Sequence, residues 1–511
     1  MVDALTGNVA DLVAAAAARV PQHAALIETA TGRALSWQQV DHAVTAYAHE
    51  LSHAGLASGD RVAVVLPNGA PFCVALFAVL RAGGIAVPVN VSAPAPELRR
   101  VLDDSGARLV VAGEVRGTGE VPVLAPPDLD AEPGESVEPV ERRRGGEDIA
   151  VLCYTSGTAG LPRGVMLSHR ALLSNVEQCA ALRPAPVTAT DRVLLVVPLY
   201  HLYGLGPGLL QVAAAGATAV LMESFHADTA LDVCAEHRVT ALVGVPAMYQ
   251  ALAGVPTERL AEAMFTVRLL TSGAAPLPPA VLTAIRQATG LSVFEGYGLT
   301  ETGPVLTSTL VGGQAKPGFV GRPLPGVELA IVDSDGSPVG AATVDDPDEP
   351  VEEWYADPAA ETGRVAARGA NLFSGYWPDG AHGPDADGWF RTGDVGYLDA
   401  DGDLRLVDRA GDLIIVNGFN VYPNEVERVL DELAEVAAAA VVGVPDERAG
   451  ERVKAVLVLR PDAELTEDAV REHCAARLAR FKVPDQVEFV SALPYSPTGK
   501  IRRASLRAAR A

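Results

Sequence analysis

Paired cysteines, long apolar runs and lysine are all scarce in this chain of 511 residues. Its five cysteines include no CxxC pair, so neither a disulfide framework nor a cysteine-based metal site is expected, and a reducing cytoplasm fits. Apolar runs such as 73–80 stop at Arg81 and are too short to cross a bilayer. The first residues include Asp3 and Asp11 without a basic lead-in, which is unlike a signal peptide.

Basic charge is also in short supply. The 64 acidic residues outnumber the 40 Lys and Arg, which gives a net charge of −24. Because nucleic-acid binding depends on clustered cations, a nucleic-acid partner is not expected. Any anionic ligand must instead be held by local donors. Only four lysines occur (Lys316, Lys454, Lys482 and Lys500), so each one is a candidate for a specific role.

The length and the pattern of apolar segments predict an α/β protein of more than one domain. A chain of 511 residues exceeds what one core usually supports. Strand and helix patterns alternate from 61 to 294, which indicates βαβ units and largely parallel sheets. After about 320, short strands and Asp-Gly turns dominate, and from 413 a smaller α+β pattern begins.

The segment 154–164 reads YTSGTAGLPRG and follows an apolar run that predicts a buried strand ending at Cys153. Glycine tolerates the dihedrals that turn several backbone N–H groups toward one point, and three hydroxyls and Arg163 add donors. A polyphosphate fits such a loop. No Gly-Lys-Ser/Thr closes it, so it is not a Walker A loop. Taken alone, the segment fits a phosphate cradle and an ordinary turn equally well.

Three further clusters place polar chemistry on turns. The sequence GYGLTET at 296–302 combines an aromatic ring, hydroxyls and a carboxylate, which suit a base, a phosphate and Mg²⁺. Asp394 and the later pair 408–409 suit the hydroxyls of a ribose. Lys500, on the segment PYSPTGKI, offers a compact ammonium that would neutralise a transferring phosphate. Taken singly, each cluster also fits an ordinary turn or a solvated charge.

In this order, the motifs resemble those of the ANL superfamily of adenylate-forming enzymes, which includes acyl-CoA synthetases, adenylation domains of nonribosomal synthetases and luciferases. The resemblance is collinear from about 25 to 505. It is closest to bacterial FadD-like fatty-acid CoA ligases, judged by PLYHLYG (198–204), EGYGLTE (295–301) and GFNVYP (418–423).

The resemblance implies a two-domain α/β fold. A large N-terminal domain, 1–408, would contain βαβ layers and a distorted β-barrel subdomain. A small mobile α+β domain, 413–511, would carry the catalytic lysine. The residues 409–412 would form the hinge between them.

The resemblance also implies a reaction. ATP would activate a carboxylic acid, expected to be a fatty acid, to an acyl-AMP with release of pyrophosphate. The thiol of CoA would then take the acyl group and release AMP. The implied ligands are thus ATP, Mg²⁺ and coenzyme A, together with a small-molecule carboxylic acid.

Site residues are carried over from the family position by position. Lys500 would bridge the carboxylate and the α-phosphate, Thr300 would bond the α-phosphate, and His201 would close an acyl pocket that includes 244–246. The implied Mg²⁺ ligands are Glu301 and Thr155. The implied nucleotide and CoA contacts are Thr155, Ser156, Gly157 and Thr158 for the phosphates, Gly273, Ala274, Ala275, Gly296, Tyr297 and Gly298 for adenine, Asp394 and Arg409 for ribose, and Gly418 and Phe419 for pantetheine.

The chain departs from the family pattern at three places. Ala159 and Arg163 stand where the phosphate loop commonly has Thr and Lys. Gly411 stands at a hinge position that usually holds Asp or Lys, so a side chain that would latch either conformation is missing. The acidic segment 345–353 has no assigned counterpart.

Other readings stay open at this point. The chain could load the phosphopantetheine arm of an acyl carrier protein in place of CoA, because the two thiols are chemically the same. A non-catalytic nucleotide- or acyl-binding relative is an alternative of another class, and a luciferase-like oxygenase has no positive support. A monomer or a homodimer is expected.

Overall fold

The computed structural model describes residues 2–130, 140, 144–156, 162–333, 336–339, 362–409, 414–416, 419–446, 450–478, 480–495 and 501–507. Contacts divide the chain into two compact units, Met1–Glu328 with Ala367–Phe390, and Leu329–Ala366 with Arg391–Ala511. Within the described ranges, no helix has both the length and the apolarity that a bilayer span requires.

The strands occur throughout the chain. In chain order they are β1 (Ala24–Glu28), β2 (Ala34–Ser36), β3 (Arg61–Val65), β4 (Ile85–Pro88), β5 (Leu109–Ala112), β6 (Val123–Leu124), β7 (Ile149–Ser156), β8 (Pro162–Ser168), β9 (Arg192–Leu195), β10 (Thr218–Leu221), β11 (Ala241–Gly244), β12 (Leu269–Ser272), β13 (Val293–Tyr297), β14 (Thr307–Ser308), β15 (Arg322–Pro323), β16 (Val327–Val332), β17 (Gly363–Gly369), β18 (Trp389–Leu398), β19 (Leu404–Arg409), β20 (Ile414–Val416), β21 (Phe419–Val421), β22 (Val436–Asp446), β23 (Gly450–Leu459) and β24 (Gln486–Phe489).

Helices alternate with most of the strands in the first 300 residues. The α-helices are α1 (Asp11–Arg19), α2 (Trp37–His53), α3 (Ala70–Arg81), α4 (Ala95–Ser105), α5 (His169–Ala180), α6 (Gln211–Ala215), α7 (Ala227–Glu236), α8 (Pro246–Ala253), α9 (Thr257–Ala263), α10 (Pro279–Thr289), α11 (Pro423–Leu430), α12 (Glu467–Ala475) and α13 (Ala504–Arg507). A π-helix spans Gly204–Leu210, and 3₁₀ turns span Thr300–Thr302 and Arg480–Lys482.

Local chemistry explains where several helices begin and which face they bury. The side chain of Ser36 caps α2, and Gln39 returns a bond to the backbone of Ser36, so two otherwise unpaired N–H groups are satisfied. Helix α4 buries Leu98, Val101 and Leu102, which lie on one face at helical spacing. Gly106 then ends the helix at a φ of 59°, a conformation that glycine adopts readily.

Two sheets build the first unit. One has nine strands in the order β15-β14-β13-β12-β11-β9-β10-β1-β2, and the run from β13 to β1 is parallel. The other has six strands in the order β6-β5-β3-β4-β7-β8, parallel except for the last pair. The predicted βαβ architecture with parallel sheets is therefore confirmed.

The second unit contains a five-stranded sheet, with the order β21-β20-β23-β22 and with β24 beside β23. Buried residues of this sheet pack against α11 and α12, which contribute Val426 and Val470 to the same apolar cluster. A separate four-stranded sheet has the order β16-β17-β18-β19. The hinge at 409–412 stays a prediction, because 410–413 lie outside the described residues.

The structure corrects one boundary that matters for the site. Strand β7 was predicted to end at Cys153, but it continues to Ser156 and pairs with β8, which begins at Pro162. The segment 154–164 is therefore the end of a β-hairpin and not a loop between a strand and a helix. Residues 157–161, between the two strands, lie outside the described residues.

Candidate nucleotide and acyl site

The carboxyl ends of four parallel strands meet at one edge of the nine-stranded sheet. Strands β9, β11, β12 and β13 are neighbours in register, for example Gly244 with Ser272 and Ser272 with Glu295. In open parallel sheets, ligands bind at this edge. The segments that leave it carry His201, 244–246, 273–275 and 296–301, so most of the site residues predicted in this unit lie together.

The predicted adenine segment is tightly constrained. Ala274 has a φ of 71°, which is unusual for a residue with a side chain and indicates local strain. The backbone N–H of Leu277 donates to Glu295 Oε2 at 3.2 Å and so fixes the far end of the segment. A Cβ at Gly298 would lie 1.8 Å from the Pro304 carbonyl oxygen, so no side chain fits there. Tyr297 is buried at the end of β13.

Glu295 is a buried carboxyl within the same motif. It is 6% exposed, and burial raises its pKa to about 7, although the bond from Leu277 acts in the opposite direction. Ser272, its neighbour in register, has a buried hydroxyl with no hydrogen-bond partner among the residues that the structure describes. The predicted adenine segment is thus bonded to a buried carboxyl that takes up a proton near neutral pH.

We expect the stability difference between Glu295→Gln and the parent chain to depend on pH. A carboxyl whose pKa is raised on folding stabilises the fold fully below its unfolded-state pKa and loses that contribution as pH rises through 7. The parent should therefore lose about 2 kcal/mol relative to the variant between pH 5.5 and 8.5. Urea unfolding at both pH values measures this. Glu262→Gln, at an exposed helical site, should show a flat difference, and a flat difference for Glu295→Gln would contradict the assignment.

The predicted gate residue His201 lies in the segment that follows β9. Its Nδ1 accepts the backbone N–H of Tyr203 at 3.2 Å, which places the proton of the neutral ring on Nε2. The π-helix Gly204–Leu210 begins directly afterwards, a rare element that is frequent at functional sites.

Two tyrosines lie against glycines at this edge. A Cβ at Gly273 would be 2.8 Å from the ring of Tyr203, and one at Gly244 would be 2.9 Å from the ring of Tyr249. Tyr249 is fully buried and its hydroxyl donates to Thr271 O at 2.7 Å, whereas Tyr203 is half-buried. Both rings pack on the same apolar cluster of the sheet. Tyr203 is thus the aromatic residue of the pair that reaches the surface of this edge.

The hairpin of β7 and β8, which was predicted to bind phosphate, also comes together with the predicted magnesium ligand. Thr155 of β7 lies opposite Arg163 of β8. The guanidinium of Arg163 lies over the ring of Tyr376, 4.5 Å from its centre. Tyr376 Oη in turn donates to Glu301 Oε1 at 2.7 Å. Thr300 and Glu301 begin the 3₁₀ turn after β13, so the hairpin and this turn are linked through Tyr376.

The predicted ribose ligands lie in the second unit. Asp394 of β18 and Arg409 of β19 are directly opposed in the antiparallel ladder, and Asp394 is 5% exposed. For Ser156, Arg409 and Phe419 the structure describes only the backbone. Gly157, Thr158, Gly418 and Lys500 lie outside the described residues.

An α/β unit that combines the hairpin of β7 and β8, an aromatic-glycine turn and an acidic turn residue fits a nucleotide-dependent enzyme of the adenylate-forming class. The chain belongs to the AMP-binding enzyme family, whose model matches residues 13–377, and the model of the AMP-binding enzyme C-terminal domain matches 425–500. The family expected from the motifs is therefore confirmed.

Relatives align over nearly the whole chain. A feruloyl-CoA synthase from an Amycolatopsis species is 35% identical over 96% of both chains. A long-chain-fatty-acid–CoA ligase from Yersinia pestis is 34% identical over 93% of this chain and 90% of that protein. The ATP-bound structure of MatB from Rhodopseudomonas palustris is 32% identical, covers 98% of both chains and superposes with a TM-score of 0.87. The chain is thus an AMP-forming acid–CoA ligase that uses ATP.

Three residues with structural links to the site had no predicted role. Tyr203 and Glu295 stand inside the motifs that suggested the family, next to residues that were assigned. Tyr376 stands in the Gly-Tyr-Trp sequence at 375–377, far along the chain. Conspicuous aromatic-glycine pairs are the signal that could have drawn attention to Tyr203 and Tyr376.

Proposed function

We propose that this ligase activates a carboxylic acid with a compact and uncharged tail, either aromatic or short and aliphatic. The observation that carries the proposal is the packing of Tyr203 on Gly273 and of Tyr249 on Gly244. Apolar residues surround both rings, so a charged tail would be desolvated without a partner. In this proposal the ring of Tyr203, packed on Gly273, limits how far the tail of the acid extends at this edge. Among the fatty acids expected from the sequence, a long-chain acid is therefore less favoured than a compact one.

ATP would bind across the residues carried over from the family. The phosphate hairpin would hold the β- and γ-phosphates, Thr300 the α-phosphate, and Asp394 with Arg409 the ribose. The tight approach at Gly298 and the direct pairing of Asp394 with Arg409 support these roles. Adenine would lie against Tyr297 and the segment 273–275.

The donor set fits a magnesium ion. Glu301 is a half-buried carboxylate with one oxygen fixed by Tyr376, and Thr155 offers a hydroxyl; hard oxygen ligands are those that Mg²⁺ prefers. Glu301 and Thr155 would hold Mg²⁺, which supplies charge neutralisation for the pyrophosphate leaving group.

The chemistry runs in two steps. A carboxylate oxygen attacks the α-phosphorus, the bond to pyrophosphate breaks, and an acyl-adenylate results; the ammonium of Lys500 would bridge the two anionic groups. A thiolate then attacks the acyl carbon and expels AMP. Rotation about 409–412 would withdraw Lys500 and bring the pantetheine residues Gly418 and Phe419 into place. Gly411 leaves that rotation without a side-chain latch.

The acid specificity tests this proposal. Pyrophosphate exchange should be measured with benzoate, cinnamate and straight-chain acids of four to sixteen carbons. We expect kcat/KM for the aryl or short acids to exceed that for hexadecanoate by about tenfold or more, since pocket discrimination of this size is common. Equal use of hexadecanoate would contradict the proposal.

A substitution at Tyr203 tests whether its ring is what limits the length of the acid's tail. Tyr203→Ala should raise relative use of the long acids about tenfold, because removing the ring opens space beside Gly273. Tyr203→Phe keeps the ring and serves as the matched control, with an unchanged preference. If both variants keep the parent profile, Tyr203 does not limit the tail.

The acceptor is tested in the same assay series. CoA and a holo-carrier protein should be offered with the best acid. We expect the acyl thioester of CoA to form even when the concentration of CoA is low. Exclusive transfer to the carrier would instead support the carrier-loading alternative.

A further inference from the structure

Glu301 is held from two sides by one short segment of the first unit. Tyr376 Oη donates to Glu301 Oε1 at 2.7 Å. The backbone N–H of Phe373 donates to Glu301 O at 3.0 Å. The rings of Phe373 and Tyr376 also contact each other edge to face, with centres 5.2 Å apart. The segment 373–376 therefore fixes both the backbone and the carboxylate of Glu301.

The same segment is fastened to the phosphate hairpin. Val165 and Tyr376 form an antiparallel bridge, and the backbone N–H of Ser374 donates to Met166 O at 2.9 Å. The backbone N–H of Trp377 donates to Gly164 O at 2.8 Å. Residues 374–377 thus run beside β8 as an additional strip. A movement of the hairpin would be transmitted to Glu301 through this strip.

Arg163 completes the connection through its side chain. A flat guanidinium stacks on an aromatic face and keeps its charge, and such a contact is favourable even when partly exposed. The 4.5 Å contact with Tyr376 therefore gives a physical reason for arginine at a position where the family commonly has lysine. A lysine would bring only a compact ammonium, which is more strongly hydrated.

We propose that Arg163, Tyr376 and Glu301 form a clamp in which Tyr376 is a positioning residue. Tyr376 fixes the orientation of the Glu301 carboxylate that would hold the metal, and Arg163 holds the ring of Tyr376 on the hairpin side. This inference rests on the proposed role of Glu301 as a magnesium ligand. Hydrogen bonds to a ligating carboxylate are typically worth about 10–100-fold in metal affinity.

Calorimetry with a non-hydrolysable ATP analogue tests the clamp without turnover. The Kd of α,β-methylene-ATP is measured with and without Mn²⁺, and the ratio reports how strongly the metal aids binding. In Tyr376→Phe, which keeps the stacked ring, we expect this ratio to fall about tenfold. Tyr47→Phe is the matched control: its buried hydroxyl donates to Ala125 O at 2.6 Å, away from the site segments, and its ratio should not change.

Substitution of Arg163 provides an independent readout. Arg163→Gln should lower the ratio about threefold, in keeping with one cation–π contact. The double variant Tyr376→Phe/Arg163→Gln should lose no more than Tyr376→Phe alone, because both act through one hydroxyl. An unchanged ratio in Tyr376→Phe, or fully additive losses, would overturn the clamp.

Failure of the proposed function would look different. A parent protein that lacks acid-dependent pyrophosphate exchange would refute the adenylation chemistry, whereas the metal ratio would still report on the clamp. A parent that binds the analogue equally well with and without Mn²⁺ would refute the metal role of Glu301.

Discussion

Lys500→Ala should lower acid-dependent pyrophosphate exchange by roughly 10²–10³-fold, the usual cost of losing a donor that acts in the transition state. The physical reason is charge: two anionic groups, the carboxylate and the α-phosphate, must approach each other, and the ammonium of Lys500 would lie between them. The rate of thiolysis of a supplied acyl-adenylate should stay within about twofold of the parent's rate. In that step the carboxylate and the α-phosphate are already joined, so their repulsion no longer has to be overcome.

The scarcity of lysine makes the control simple. Lys482 lies in the same unit and forms a 2.7 Å ion pair with Glu425, so Lys482→Ala removes a lysine that already has a structural partner. Its exchange rate should match that of the parent within about twofold. If Lys500→Ala adenylates normally, or if both half-reactions fall together, the role given to Lys500 is wrong.

Glu301→Gln should lower kcat/KM for ATP in the presence of Mg²⁺ by about 100-fold, because metal-assisted stabilisation of transition-state charge is worth several kcal/mol. The amide can still accept the bond from Tyr376, so the local fold should survive while the negative charge is lost. A magnesium titration of pyrophosphate exchange measures the effect. We expect the variant to need more Mg²⁺ for half-maximal rate.

The matched control for this variant is Glu262→Gln, on the exposed side of α9 in the same unit. Its magnesium dependence should follow that of the parent. A Glu301→Gln enzyme with the parent's rate and magnesium dependence would remove Glu301 from the metal site, and with it the basis of the clamp.

The sheets of the first unit were predictable because their signals are local. Strands such as β3 and β5 are short apolar runs buried on both faces, and α3 follows one of them with a clear end at Arg81. Helix α4 shows its buried face in the spacing of its leucines and valine. Such patterns depend on neighbours in sequence, so the chain displays them directly.

The hairpin of β7 and β8 was only partly predictable. Its Ser, Thr and Gly residues are typical of a loop. The segment is a hairpin because β7 pairs with β8. Those pairings depend on register and not on composition. The motifs suggested a ligand for this segment, which stays a prediction, but they did not predict its shape.

Long-range contacts explain why Tyr376 and Tyr203 had no predicted role. Tyr376 meets Glu301 across 75 residues of sequence, and no local spacing encodes that hydrogen bond. Tyr203 stands in a motif segment, but its contact with Gly273 arises only because the carboxyl ends of β9 and β12 meet at the same edge of the sheet. The reaction could therefore be predicted from motifs, while the contact that underlies the proposed acid specificity could be found only from the fold.

The most direct test of two-step chemistry follows one oxygen atom. The enzyme is given an acid labelled with ¹⁸O in its carboxylate, together with ATP, Mg²⁺ and CoA, and the products are analysed by mass spectrometry. Attack of the carboxylate on the α-phosphorus, followed by thiolysis at the acyl carbon, predicts AMP that carries one ¹⁸O and unlabelled pyrophosphate. Label in inorganic phosphate with formation of ADP, or AMP without label, would contradict an acyl-adenylate.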